Sequence, residues 1–218
     1  MKKVSLTIII ALLFVSGCAN EKEEVDAVSQ ATLERYDVKE VREYKGINLD
    51  PAKGARDNSI KGIQHVNIDE YLLTITGLVD NPLSLNYDEV LKLPSYERVI
   101  TLYCVEGWDA TILWEGVKIS EILENAKTQE GANTVIFKAV DGYTTSIPIS
   151  TILERDMLLG YKANDIVLPD SLGFPFIVIA EDKLGYKWAR WVNEIELSSN
   201  DEYQGYWEKR GYSNNAEL

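Results

Sequence analysis

An Asp141-Gly142 pair between two β-rich runs, Thr134–Val140 and Tyr143–Ile149, is the strongest constraint on how this chain can fold. Asp and Gly accept the positive φ angles of a two-residue turn whose twist matches the flanking strands, so the pair predicts a hairpin. Other runs extend the pattern. Tyr71–Thr76 and Arg98–Cys104 are rich in β-branched and aromatic residues and read as strands. Phe174–Ala180 and Trp188–Leu197 read as two more, joined by a turn over Glu181–Gly185. Asp80-Asn81-Pro82 makes a turn after Gly77. Short helices are predicted at Ser84–Leu93 before Pro94, at Ser120–Ala126, and at Ile152–Leu159 behind a Ser150 cap. Strands with interspersed short helices, in no regular βαβ alternation, predict an α+β domain with mixed β-sheets.

The N-terminus carries a different signal. Lys2-Lys3 precede an apolar run from Leu6 to Val15, which ends in Val15-Ser16-Gly17-Cys18. A charged flank, an apolar core and small residues before a cleavage point make a secretory signal, too short for a transmembrane helix of about 20 residues. The last four residues resemble a lipobox, in which the cysteine is acylated. Residues 1–17 are therefore expected to be a lipoprotein signal peptide, and Cys18 the lipidated end of the mature protein. Residues 18–55 are charged and lack sustained periodicity, which predicts a tether. A domain is expected over 56–213, with a short tail at 214–218. The expected location is the outer face of the cell membrane. The formal net charge of −13 makes nucleic acid an unsuitable partner.

With Cys18 taken by lipid, Cys104 is a lone thiol in an oxidising compartment. It reads either as a small buried hydrophobe or as a soft ligand for a thiophilic metal, and spacing alone does not choose. His65 is the single histidine, which disfavours a histidine-built zinc or copper site and leaves a thiol–imidazole pair as a minor option. Trp108 and Trp114, with Gly107 and Gly116, suit either a core or a walled pocket after Cys104. Lys183, Lys187 and Arg190 surround Gly185 and read either as a solvated turn or as partners for an anion.

Several segments together resemble the sulfite oxidase family of molybdopterin oxidoreductases. Cys104-Val105-Glu106-Gly107-Trp108, followed by Leu113-Trp114-Glu115-Gly116-Val117, is similar to that family's metal-binding segment. Around it, in the family's order, stand Tyr71 to Pro82, Gly142 to Pro148, Leu168 with Gly173-Phe174-Pro175, Gly185 to Val192 and Gly205 to Tyr212. The resemblance implies a sulfite-oxidase-type molybdopterin-binding fold and a molybdenum–molybdopterin cofactor. By position it makes Cys104 the metal ligand. It places Arg190 and Lys187 on the pterin phosphate, Asn58 and Tyr143 against the cofactor, and Tyr212 at the catalytic tyrosine. Two departures stand out: Ile177 replaces the cation of the family's G-x-P-x-R, and the loop after Cys104 is acidic rather than basic.

The resemblance implies a membrane-anchored enzyme that transfers an oxygen atom, with two electrons, to or from a small-molecule substrate. An electron-transfer partner in the membrane or envelope is expected. An acidic loop repels an anion such as sulfite, so a neutral or cationic substrate, a sulfoxide or N-oxide, fits better. The alternative is a non-catalytic lipoprotein binding module that keeps the fold without molybdenum chemistry.

Overall fold

The computed structural model describes residues 39–52 and 59–218. The signal segment, Cys18 and Asn58 lie outside the described residues. Twelve strands form among those described: β1 (Glu43–Tyr44), β2 (Ile47–Asn48), β3 (Leu73–Gly77), β4 (Leu83–Leu85), β5 (Ser95–Tyr103), β6 (Asp109–Lys118), β7 (Thr134–Ala139), β8 (Thr144–Pro148), β9 (Leu158–Ala163), β10 (Ile166–Val167), β11 (Ile177–Ile179) and β12 (Val192–Ser198).

Alternation decides which faces are buried. Leu73 and Ile75 of β3, and Ile195 and Leu197 of β12, point into the core, with threonines and glutamates between them. The interior strand β7 is buried over Thr134–Phe137, as a strand covered on both faces must be. One five-stranded sheet runs β4–β3–β12–β7–β8, and it is mixed because β12 pairs with β3 in parallel. The other runs β10–β9–β6–β5, with β11 also on β9, and all its pairs are antiparallel. The chain alternates between the sheets, with β3–β4, β7–β8 and β12 in the first and β5–β6 and β9–β11 in the second, and its last crossing returns it from β11 to β12. That return delivers the segment before β12 to the end of β5.

The α+β expectation holds, and the expected hairpin forms, with Thr134 opposite Pro148 and Lys138 opposite Thr144. Its loop is the longer Val140–Tyr143, in which Gly142 and not Asp141 takes a positive φ. The amphipathic helix spans Ile119–Ala126 and buries Ile119, Ile122, Leu123 and Ala126. Other boundaries are corrected. Ser84 lies in β4, because Leu83–Leu85 pair with β3, and the helix is only Tyr87–Val90. Its start is set by Asn86, whose Oδ1 accepts from Glu89 N while Glu89 Oε2 accepts from Asn86 N. The third helix is Ile149–Glu154 without a side-chain cap, since Leu158 and Leu159 are taken by β6 and β11 as part of β9. Trp188–Trp191 precede β12 instead of belonging to it.

Residues 39–52, expected as the end of a tether, are packed onto the domain. Asn164 organises this docking: its Nδ2 donates to Asp50 O (2.7 Å) and Glu40 Oε1 (2.8 Å), and its Oδ1 accepts from Leu113 N (3.0 Å). Leu49 and Ala52 are buried as a result. The expected tail at 214–218 is also held, since Leu184 N donates to Ala216 O and Ala216 is buried.

Candidate cofactor cleft

Strand β5 ends at Tyr103, and Cys104 opens a tight loop. Gly107 N donates to Cys104 O (3.0 Å) and Cys104 N donates to Trp108 O (2.9 Å), which fixes where the half-buried Cys104 side chain starts. The returning chain passes directly behind it. A Cβ on Gly185 would lie 3.3 Å from Tyr103 O and 3.7 Å from Cys104 Cα, so glycine allows the two backbones to meet. Between these loops, the β7–β8 hairpin and the C-terminal segment lies a cleft of about 340 Å³. Trp108, Tyr143, Tyr186, Trp188, Trp191, Trp207 and Tyr212 wall it, together with Cys104, Glu106, Asp141 and Arg190. Trp191 adopts a left-handed backbone (φ 52°) to take its place, anchored by Trp191 Nε1 donating to Asp170 O at 2.8 Å.

Five residues singled out from sequence meet here: Cys104, Trp108, Tyr143, Arg190 and Tyr212. Arg190 donates through one terminal nitrogen to Ser171 O at 2.8 Å, which orients the guanidinium. The Tyr143 hydroxyl donates to Tyr186 O, and burial, with the Glu208 and Asp141 carboxylates nearby, pushes its pKa well above the ordinary value. Its ring is wall and its hydroxyl is already committed. Tyr212 stands at the mouth, 38% exposed, with its ring 5.2 Å from those of Tyr186 and Trp207.

Other expectations are corrected. Lys187 does not line the cleft. It is fully buried and its ammonium donates to Ser146 O, Glu208 Oε1 and Asn214 Oδ1, at 2.9, 2.6 and 3.0 Å. Those three acceptors use its three N–H groups, leaving none for a phosphate. Burial lowers its pKa, against the pull of Glu208. Lys183 donates to Asn215 Oδ1 and is likewise buried. His65 is mostly exposed, with Nδ1 2.8 Å from Asp170 Oδ2, and is absent from the cleft wall, so no thiol–imidazole pair forms. Trp114 is core: it is wholly buried and its Nε1 donates to Ile100 O. Ile177 is buried in β11 opposite Gly160, away from the cleft lining.

Sequence reasoning missed Tyr186, Trp188, Trp191 and Trp207 as walls. They stand inside the quoted segments Gly185–Val192 and Gly205–Tyr212, where their bulk beside glycines was the available signal.

A molybdenum-bearing pterin requires a soft ligand, flat apolar surfaces for its rings and a cation for its phosphate. Cys104 supplies a thiol suited to such a metal. Seven aromatic side chains supply the surfaces, and Arg190 supplies the cation. Among the described residues no three His, Cys, Asp or Glu side chains gather as a metal cluster, so Cys104 would be the protein's ligand. The cleft volume is within the usual range for cofactor sites, roughly 300–1,000 Å³. The residues present fit the group.

The family model described as "Oxidoreductase molybdopterin binding domain" matches residues 60–207. The chain is 33% identical over 147 residues to the "Uncharacterized oxidoreductase YuiH" of Bacillus subtilis, covering 67% of this chain and 74% of that protein. It is 32% identical over 151 residues to the "Putative protein-methionine-sulfoxide reductase subunit YedZ1" of Azospira oryzae, covering 69% of this chain and 57% of that one. Among solved structures, the sulfane dehydrogenase SoxCD of Paracoccus pantotrophus matches with a TM-score of 0.68 at 19% identity. That match covers 77% of this chain and 46% of the other, and is a likeness of fold.

Proposed function

Because the chain belongs to the oxidoreductase molybdopterin binding family, the family of the sulfite oxidases, we propose that it transfers an oxygen atom on a small uncharged S-oxide or N-oxide, tethered by Cys18 to the outer face of the membrane. The observation that carries the proposal is the Cys104 thiol in the wall of an aromatic cleft that also holds Arg190. When bound, the molybdenum cofactor supplies a two-electron couple and a site for oxygen exchange. Cys104 would hold the metal and Arg190 the phosphate, through charge-assisted hydrogen bonds. The aromatic walls exclude water and strengthen the polar contacts that remain. The Tyr212 hydroxyl has no hydrogen-bond partner among the described residues and stands where it can donate to a substrate oxygen.

Glu106 and Asp141 decide the substrate's charge in this reading. Two carboxylates in the lining disfavour an anion, whereas a neutral sulfoxide meets no such repulsion. The name of the Azospira oryzae relative, a putative protein-methionine-sulfoxide reductase subunit, supports the same substrate class and a partner subunit, which in this reading carries the electrons. The competing reading is a binding module that has kept the fold without the metal, and its support is the sequence departure at Ile177 alone, since that side chain is buried away from the cleft lining.

Metal and pterin analysis separates the two. The mature chain is purified from a host that makes the cofactor, once from the cytoplasm and once after export, beside Cys104→Ser. Near-stoichiometric molybdenum with releasable pterin, lost in Cys104→Ser, is the expected result. Metal-free protein from both routes overturns the enzyme and leaves the binding module.

A further inference from the structure

Lys187 lies between two cleft residues, Tyr186 and Trp188, yet its side chain runs behind the wall to Glu208. Both side chains are essentially inaccessible, at 1% and 0% exposure. The Glu208 carboxylate also accepts from Thr145 Oγ1 at 2.7 Å, while its other oxygen is buried without a partner. A buried ion pair that leaves one oxygen unsatisfied is a weak device for stability, because desolvation of the two charges offsets their attraction. Its geometry points to a different use.

Glu208 and Asn214, both bonded to the Lys187 ammonium, bracket Tyr212 in the chain. Between them the chain makes a 3-10 turn over Glu208–Arg210 that ends at Gly211 in a left-handed conformation. Tyr186 OH donates to Ser213 O at 2.7 Å, next to Tyr212, and the Tyr212 ring rests edgewise between Tyr186 and Trp207. Lys187 also donates to Ser146 O of β8, so the whole loop is referenced to a strand of the main sheet. One ammonium thus fixes both ends of the loop that carries the exposed phenol.

We propose that the Lys187–Glu208 pair is a positioning device for Tyr212, holding its phenol at the mouth of the cleft. The inference rests on Tyr212 as the residue that meets the substrate oxygen. Misplacement of a reacting group by about 1 Å costs up to roughly a hundredfold in rate, so a rigid loop has a kinetic value that stability does not measure.

The test uses the full chain with its cofactor, labelled with fluorotyrosine and read by fluorine NMR. The Tyr212 resonance is identified by its loss in Tyr212→Phe. Glu208→Gln alone leaves a buried ammonium and can fail to fold. The double variant Lys187→Met with Glu208→Gln removes both charges at similar volume and is the decisive one. The expected result is a shifted or exchange-broadened Tyr212 resonance, with that of Tyr161 in β9 unchanged. Turnover of a methyl sulfoxide falls by roughly tenfold or more through kcat, and the same double substitution costs less than about twofold in a Tyr212→Phe background. An unmoved Tyr212 resonance, tyrosines that all move together, or losses that add to those of Tyr212→Phe overturn the proposal. A chain that turns over no S-oxide defeats the oxygen-transfer reading instead, and the fluorine spectrum alone then decides the positioning role.

Discussion

Gly173 and Arg190 meet backbone to backbone: a Cβ on Gly173 would lie 2.6 Å from Arg190 Cβ and 2.9 Å from its Cα. Gly173 also has φ +109°, a conformation that a side chain resists, and its carbonyl accepts from Trp191 N. The cleft's guanidinium is therefore set by a neighbour with no side chain. Gly173→Ala is expected to cost about 2–3 kcal/mol of stability, from the positive φ and the overpacking together. Urea denaturation with an unchanged slope and a lower midpoint would show it. Loss of bound pterin at temperatures where the variant is still folded would show that Arg190 has been displaced.

The sequence was most legible where local chemistry and tertiary need agree. The Asp141-Gly142 hairpin and the Ile119–Ala126 helix formed where expected because their turn residues and apolar face are satisfied by immediate neighbours. Legibility failed where a distant strand decided the outcome. Leu158 and Leu159 continue a helical pattern after Ile152, but pairing with β6 and β11 outweighs a weak local preference. The site divides in the same way. Cys104 and Tyr212 could be read because their segments matched a known family, whereas the lone thiol by itself left core and ligand equally open. Lys187 misled because a cation beside a cofactor site looks the same in sequence whether it faces inward or backward. Only Glu208, 21 residues on, decides between them. Trp114 had the same ambiguity, and its complete burial, with its ring tilted against Trp188 at 5.7 Å, places it in the core behind the cleft wall.

Asn164 offers a test of the N-terminal docking. It is fully buried, takes a left-handed backbone (φ 52°) that asparagine tolerates, and serves three partners with one amide. Asn164→Ala leaves Leu113 N and Asp50 O without their partner, at about 1–3 kcal/mol for each group that stays buried. Hydrogen exchange should rise over residues 39–52 and spare β7 and β12. Equal protection in variant and parent would mean that Leu49 and Ala52 hold this segment by burial alone.

Alkaline stability is expected to fall from about pH 10 upward. Burial, then the Glu208 carboxylate and Tyr212, push the Tyr186 pKa from 10.0 up to about 12, and burial raises Tyr143 and Tyr71 further. A phenol with a raised folded pKa contributes stability that is fully present below the unfolded value. That contribution is lost as pH rises through the folded value, because the unfolded chain ionises first. The melting temperature should therefore be insensitive to these groups up to about pH 10 and decline between there and about pH 12. Tyr186→Phe should flatten part of the decline, although it also removes the bond to Ser213 O. A decline that begins near neutrality would assign alkaline loss to other groups.

Membrane attachment is expected to depend on Cys18 alone. The chain carries a formal charge of −13, and signal cleavage would remove Lys2 and Lys3 with no acidic residue, so the mature surface is repelled by anionic headgroups. Among the described residues no helix is long and apolar enough to cross a membrane. Acyl chains on Cys18 would contribute about 0.8 kcal/mol per buried CH₂, enough with two or more chains for stable anchoring. Parent protein should then stay with membranes through high salt and leave only with detergent, whereas Cys18→Ala should be released to the soluble fraction. Parent protein washed off by salt would point to electrostatic attachment, which this charge opposes. Cys18→Ala retained on the membrane would assign the anchor to an uncleaved apolar segment, Leu6–Val15, in place of the lipid.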